Sequence, residues 1–206
     1  MAAGAALLGV WACTAHAEYC DPGELRGAYG FELSGNTDIS GASKPVVGVG
    51  RLLFGNADVT GYSSINFAGW FLGNPLTGRY QLKADCSLTF SLQDTSGHFQ
   101  HFHGKVIPGR KRASFRQTDV GGFERGILAE TGSHCVAADF QRIYRFRIFG
   151  VSVDMNKGKP LAHISANGLV EGTSDGALKF TTGRDLPMTG TYTIEDGCFV
   201  AIVCPH

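Results

Sequence analysis

Apolar and polar residues alternate with a period of two along most of the chain. In residues 27–34, Tyr29, Phe31 and Leu33 alternate with small or polar residues, and residues 86–93 repeat the pattern. A period of two places successive side chains on opposite faces of a strand, so each strand has one core face and one wet face. Beyond the N-terminal segment, no run follows the 3.6-residue period of a helix. The pattern predicts an all-β protein.

Turn residues cut this pattern into short antiparallel strands. Eight strand-like segments precede residue 131, namely 27–34, 46–54, 59–69, 76–84, 86–93, 98–107, 111–118 and 123–130. The predicted turns between strands include Gly55-Asn56, Asp94 to Gly97, Pro108-Gly109, Gly121-Gly122, Asn156 to Gly158 and Asn167-Gly168. Closure is the usual way for such a meander to avoid exposed edges. We therefore expect a small barrel of about eight strands, followed by a partial second copy.

The chain carries an internal duplication. Cys20 and Tyr29 recur as Cys135 and Tyr144, a shift of 115 (135 − 20). A second block, Pro-x-Thr-Gly-x-Tyr followed by a cysteine, recurs with a shift of 112 (198 − 86) and ends at Cys86 and Cys198. Strands are predicted in the second copy at 142–153, 159–166, 168–173, 177–182, 188–195 and 197–203. The expected domains are an N-terminal signal peptide, 1–17, a β-barrel module, 18–130, and an incomplete second β module, 131–206.

The first 17 residues are predicted to be a signal peptide. A small apolar run leads to Ala15-His16-Ala17, which fits signal-peptidase cleavage before Glu18, although the segment lacks the usual initial Lys or Arg. A rival interpretation makes Cys13 a lipidated cysteine. No apolar run reaches the length of a transmembrane helix. We expect a secreted or periplasmic protein without a transmembrane segment.

Cleavage at this site leaves five cysteines, and export favours disulfides between them. The duplication makes Cys20 equivalent to Cys135, and Cys86 equivalent to Cys198. A bridge retained through the duplication would therefore join Cys20 to Cys86 in the first copy and Cys135 to Cys198 in the second. Cys204 then has no predicted partner. Structural bridges are favoured over a redox centre because the chain contains no Cys-x-x-Cys motif.

Several motifs together resemble those of a known group of exported proteins. They are Leu25-Arg26-Gly27-Ala28-Tyr29-Gly30-Phe31 after Cys20, Val47-Gly48-Val49-Gly50-Arg51-Leu52-Leu53-Phe54, Leu76-Thr77-Gly78-Arg79-Tyr80 before Asp85-Cys86, and Gly122-Phe123-Glu124-Arg125-Gly126. The chain resembles uncharacterised secreted bacterial proteins built from small β-barrel modules, which are loosely similar to the allene oxide cyclase barrel. The resemblance implies a fold and hardly any function. Allene oxide cyclases isomerise a fatty-acid epoxide inside the barrel, but none of their catalytic residues matches a position here.

The charge balance argues against polyanion partners. Lys and Arg total 18, as do Asp and Glu, so the net charge is zero, and the longest basic run is Arg110-Lys111-Arg112. This run is expected at a charged hairpin tip, with anion binding as the alternative. The basic footprint of a nucleic-acid or anionic-membrane binder is missing from the sequence. We therefore expect no nucleic-acid partner.

Two histidines form the most suggestive chemical motif. His101 and His103 lie two residues apart in a predicted strand, so both point to one face and could reach the same metal ion. The spacing marks no third ligand, and a solvated strand is the competing interpretation. Acids such as Glu124 and Glu130 fall at predicted strand ends with no evident partner. No catalytic residue is selected, and no cofactor is predicted.

The sequence favours an exported, non-enzymatic β-barrel protein that binds a small apolar ligand or a surface partner. The apolar inner face and the lack of a catalytic motif support this hypothesis. The alternative is a barrel isomerase or cyclase that acts on an apolar substrate. That alternative requires a pocket with a buried ionisable or polar residue whose pKa is shifted. The sequence leaves the oligomeric state open.

Overall fold

The chain folds into two antiparallel β-sheets. A computed structural model describes residues 19–21, 23–39, 42–67, 70–132, 135–154, 159–182, 188–195 and 199–203. Within these residues the structure is all β apart from one 3-10 turn, Ala137–Phe140, and no helix there is long and apolar enough to cross a membrane. The predicted fold class is confirmed: a meander closes into a barrel of eight strands, and a sheet of five strands follows. The predicted signal peptide, including Cys13, lies outside the described residues.

The barrel is closed by hydrogen bonding between its first and last strands. Its members, in chain and spatial order, are β1 (Gly27–Ile39), β2 (Ala42–Phe54), β3 (Asp58–Phe67), β4 (Trp70–Leu82), β5 (Ser87–Gln93), β6 (Phe99–Ile107), β7 (Arg112–Gln117) and β8 (Arg125–Glu130). β1 pairs with β8 from Tyr29 opposite Glu130 to Ser34 opposite Arg125. The alternation of buried and exposed residues along each strand follows from this closure, because one face lines the interior and the other meets solvent.

Side chains fill the barrel interior. Phe90 stacks on Phe102 with ring centroids 4.8 Å apart, and both rings meet Phe115 edge-on at 5.4 Å. A Cβ at Gly126 would overlap the Phe115 ring, so glycine there makes room for the ring. An eight-stranded barrel is just wide enough for interior side chains or one small ligand. Here the large rings and facing glycines occupy that space as a packed core.

The predicted Cys20–Cys86 disulfide is present near one end of the barrel. Both cysteines are completely buried, and the amide of Cys20 donates to the carbonyl of Ala84 at 3.1 Å. The neighbouring turn contributes Leu25, which is also fully buried in the barrel core. The bridge thus ties the segment before β1 to the turn that joins β4 and β5.

The second sheet repeats the first five strands of the barrel. It consists of β9 (Ile143–Asp154), β10 (Lys159–Gly172), β11 (Ala177–Thr182), β12 (Met188–Glu195) and β13 (Phe199–Val203), in that spatial order. Equivalent tyrosines make equivalent hydrogen bonds in the two copies. Tyr29 and Tyr144 donate to the carbonyls of Glu24 and Asp139, while Tyr80 and Tyr192 donate to those of Gly55 and Thr173. The duplication found in the sequence is therefore a duplication of structure.

In each copy a phenyl ring packs between the two equivalent tyrosines, but the ring comes from a different position in the sequence. In the barrel, the Phe54 ring lies 5.5 Å from Tyr29 and 5.0 Å from Tyr80. In the second sheet the residue equivalent to Phe54 is Gly172, and a Cβ there would overlap Phe140. The Phe140 ring takes over the contacts, at 4.6 Å from Tyr144 and 4.9 Å from Tyr192. Packing around the shared tyrosines is thus kept although the sequence changes.

Two sequence predictions for the second copy have different outcomes. The predicted turn at Asn167-Gly168 is wrong, because β10 runs through both residues, opposite Arg147 and Phe146. Gly168 is needed there for close packing, since a Cβ would overlap the carbonyl oxygen of Thr181. Cys135 is disulfide-bonded. Its predicted partner Cys198, like Cys204, lies outside the described residues, so the second bridge stays a prediction.

The filled interior predicts that a single methyl group at Gly50 destabilises the barrel. A Cβ there would overlap the Phe31 ring and the carbonyl oxygen of Tyr62. We expect Gly50→Ala to lower the free energy of unfolding by about 1–3 kcal/mol in urea titrations, because overpacking forces the backbone or the ring to move. Gly55→Ala is the control, since its Cβ would make only an ordinary 3.5 Å contact with the carbonyl oxygen of Asp58. Equal stability of the two variants would contradict a filled interior.

Candidate functional site

One end of the barrel holds a buried carboxyl group. Glu124 is only 2% exposed, and it lies directly before β8, an even number of residues from inward-facing Leu128. The side-chain amide of Gln100, on β6, donates a hydrogen bond to Glu124 Oε1 at 3.3 Å. Carboxyl groups are rarely buried unless they are paired or protonated. Glu124 is therefore the strongest candidate for titration chemistry inside the barrel.

The surroundings of Glu124 favour its protonated form. Burial raises the pKa of its carboxyl group to about 7, and the negative charge of Asp119 acts in the same direction, whereas the hydrogen bond from Gln100 opposes the shift. Removal from water disfavours the charged carboxylate, which is the physical cause of the main effect. The group consequently changes charge near neutral pH.

Backbone contacts hold the segment that carries Glu124 against β1 and β7. The carbonyl of Glu124 accepts a hydrogen bond from the amide of Gln117 at 2.8 Å, and the amide of Phe123 donates to the carbonyl of Asn36 at 2.8 Å. At Gly35, a Cβ would overlap the carbonyl oxygen of Phe123. Glycine in β1 therefore allows the loop after β7 to approach closely, which places Glu124 in the barrel end.

A second carboxylate, Asp119, lies near enough to Glu124 for its charge to raise the pKa of Glu124, and it contacts His101 on the outer face of β6. Asp119 accepts the backbone amide of His101 on Oδ2 at 2.7 Å, and its Oδ1 lies 2.7 Å from His101 Nδ1. Gln117 Nε2 donates to the same carboxylate at 3.2 Å. Burial would raise the pKa of Asp119, but the hydrogen bonds from His101 and Gln117 outweigh it and lower the pKa. The other amide atom, Gln117 Oε1, is buried and has no hydrogen-bond partner among the described residues.

A groove of about 510 Å³ lies on the outer face of the barrel, next to this cluster. Its lining comes from β4, β5 and β6 with one residue beyond β7, namely Arg79, Tyr80, Gln81, Thr89, Phe90, Ser91, His101, Phe102, His103 and Thr118. The outward-facing members supply hydroxyl, amide, imidazole and guanidinium groups, and none of the lining residues is a carboxylate. Such a surface can donate hydrogen bonds to a polar ligand.

The predicted metal ligands His101 and His103 do lie on one exposed face of β6. His101, however, is hydrogen-bonded to Asp119. Within the described ranges, no group of three or more His, Cys, Asp or Glu side chains is placed to hold a metal ion. His163 lies in β10 of the other sheet, and His134 is outside the described residues. Metal binding by the two histidines stays a prediction.

The acids were harder to interpret from the sequence than the histidines. Glu130 forms an ion pair with Lys111 at 2.5 Å, and Glu124 has Gln100 as its partner. A signal for Glu124 was present, because counting back by twos from the apolar residue Leu128 places position 124 on the inner face. Its partner on β6 is 24 residues away, and only the closed barrel brings the two together.

Comparisons with known proteins leave the family open. No protein-family model matches the chain, and no curated protein matches it. Among solved structures, a porin-like protein from Bacteroides uniformis is similar at 12% sequence identity and a TM-score of 0.19; the match covers 84% of this chain and 62% of that one. The barrel implied by the resemblance in the sequence is observed, while membership of the suspected family stays a prediction.

The raised pKa of Glu124 predicts a pH-dependent gain in stability for Glu124→Gln. Between its ordinary pKa of 4.5 and the raised pKa of about 7, the folded protein holds a proton that the unfolded chain has lost, and this proton binding stabilises the fold. The stabilisation is complete below about pH 4.5 and is lost as the pH rises through about 7. Glutamine is neutral at every pH, so the variant does not lose stability as the pH rises through this range. In urea titrations, the free energy of unfolding of the variant should rise by about 3 kcal/mol relative to that of the native protein between pH 4 and pH 8.

The matched control is Glu32→Gln, which changes an exposed glutamate in β1. We expect it to alter the free energy of unfolding by less than about 0.5 kcal/mol at both pH values. A difference between Glu124→Gln and the native protein that stays constant from pH 4 to pH 8 would show that the carboxyl group is not held in a charge-disfavouring site.

Proposed function

We propose that the protein is an exported, non-enzymatic β-barrel module that binds a partner on the outside of β4, β5 and β6. The observation that carries the proposal is the groove of about 510 Å³ at this surface, whose outward-facing side chains are polar and include no carboxylate. Binding sites are usually concave and combine apolar surface with a few convergent polar groups that orient the ligand. The described fold supplies the rigid strands that position those groups.

The packing of the barrel favours a surface partner over an apolar ligand held inside. The rings of Phe90, Phe102 and Phe115 occupy the interior, and Leu88 and Leu128 are fully buried beside them in the same core. Binding an apolar ligand there would require these side chains to move apart. The outer groove, in contrast, is already open to solvent.

Export is supported by the disulfide. Cys20–Cys86 closes a loop with a sequence separation of 66 and fits a protein outside the reducing cytoplasm. In this proposal residues 1–17 are removed on secretion or on transfer to the periplasm. Residues 18–130 then form the binding module, and residues 131–206 form the second, five-stranded module.

The chemistry of the groove fits a hydroxyl-rich ligand such as an oligosaccharide. Gln81, Thr89 and Ser91 offer amide and hydroxyl groups on neighbouring outward positions of β4 and β5. Beyond them, Phe99 is 55% exposed on the outward face of β6, and its ring stacks on His101 at 6.4 Å. Sugars combine hydroxyl groups with an apolar ring face, so they can use both kinds of contact.

Filling the groove should abolish this binding. Thr89→Trp places a large ring in the groove, while the control Thr60→Trp places the same ring on the exposed outer face of β3. Calorimetric titration with cellohexaose and hexagalacturonate should show at least a tenfold loss of affinity for Thr89→Trp and less than a twofold change for Thr60→Trp. Equal affinity of both variants, or no binding of either sugar to the native protein, would contradict the proposed site.

A barrel isomerase is the second candidate, and buried Glu124 is the observation in its favour. A carboxyl group with a pKa near 7 is suited to proton transfer at neutral pH. An apolar substrate would have to enter beside Glu124, so the fluorescent fatty acid cis-parinaric acid is a suitable probe. Saturable binding that Glu124→Gln changes and Thr89→Trp leaves intact would favour the isomerase. No binding of the probe is the result that the filled core predicts.

A further inference from the structure

Basic side chains form a row across three neighbouring strands of the barrel. His103 on β6 lies opposite Arg116 on β7, and Arg116 lies opposite Arg125 on β8. All three face outwards and are exposed. We call His103, Arg116 and Arg125 the basic row. The basic row is continuous with the groove, because His103 also lines the groove.

The contact between Arg116 and Arg125 is electrostatically unfavourable in the isolated protein. Like charges directly opposite each other on adjacent strands destabilise a sheet. Neither arginine forms an ion pair in the described part of the chain. The residues at the two ends of the row are Thr89, opposite His103, and Ser34, opposite Arg125, so neither end supplies a carboxylate.

The positive charge extends beyond the basic row. Lys105 and Arg112 are exposed outward residues on β6 and β7. Of the acids nearest in the strand register, Asp119 contacts His101 and Glu130 pairs with Lys111. Glu32 is exposed and lies opposite Ile127, two positions along β1 from Ser34, the partner of Arg125. The charged residues on the outward positions of β6 and β7 are therefore all basic, although the chain as a whole has no net charge.

We propose that the basic row binds an acidic glycan that extends from the groove across β6, β7 and β8. This inference rests on the proposed function and names the class of ligand. From Thr89 to Arg125 the row crosses three gaps between strands, about 14 Å at the usual strand spacing. Carboxylates of successive uronate residues would lie between the arginines and remove their repulsion, because guanidinium groups bind carboxylates with paired hydrogen bonds.

The surroundings of the row favour a glycan over other polyanions. Gln81, Thr89 and Ser91 offer hydroxyl and amide partners, which sugar hydroxyl groups can use and which a phosphate backbone does not require. Among the described residues, the outward-facing side chains that line the groove include no Phe, Tyr or Trp, whereas sites that stack successive bases use such rings.

The test is binding of hexagalacturonate to the Arg116→Gln/Arg125→Gln variant of the full chain. We expect at least a tenfold weaker affinity than for the native protein, and a smaller dependence of affinity on salt because two charge contacts are lost. The free variant should melt at the same temperature as the native protein or higher, since the repulsion is removed. Lys44→Gln/Lys179→Gln, which removes two exposed lysines elsewhere, should bind hexagalacturonate within twofold of the native protein.

The remaining outcomes separate this inference from the proposed function. Unchanged affinity of the arginine variant, with binding still blocked by Thr89→Trp, would overturn the acidic-glycan inference and leave the groove standing. A lack of binding by both hexagalacturonate and cellohexaose would overturn both. Tighter binding of a single-stranded DNA 12-mer, or of vesicles containing phosphatidylglycerol, than of hexagalacturonate would assign the basic row to that polyanion instead.

Discussion

Pairing between β1 and β8 is the constraint from which the rest of the first module follows. Once these strands hydrogen-bond, every residue in the barrel must face either a narrow interior or the solvent. The interior is too small for both large rings and a spacious cavity, and it holds Phe90, Phe102 and Phe115 against facing glycines. A large ligand would therefore have to bind on the outer face or at the end of the barrel, as we propose for the groove.

The second copy shows which features of this architecture tolerate change. Five strands recur in the same order, and the tyrosine hydrogen bonds to the preceding turns recur with them. The ring between the tyrosines does not recur at the same position, since Phe140 replaces Phe54. Packing volume was kept while the residue that supplies it moved, which is typical of cores that tolerate volume-conserving change.

Local patterns in the sequence predicted more of the fold than of the site. The alternation is a property of single strands, and it correctly predicted the all-β fold. The equivalence of the cysteines follows from the repeat, and it correctly predicted the Cys20–Cys86 disulfide. The turn at Asn167-Gly168 was wrongly predicted because glycine is common in turns and also occurs where strands pack closely together. The basic row combines residues from β6, β7 and β8. Neither net charge nor runs of Lys and Arg could show it, because only the strand register brings these residues together.

The central claim is that the inside of the barrel is a core and the outside is the binding surface. The most direct measurement is a map of amide chemical-shift changes in isotope-labelled protein as hexagalacturonate is added. We expect the largest changes at outward positions, with Ser91, His103 and Arg116 among them. Largest changes at the inward positions Phe102, Phe115 and Leu128 would contradict the claim and would place the ligand inside the barrel.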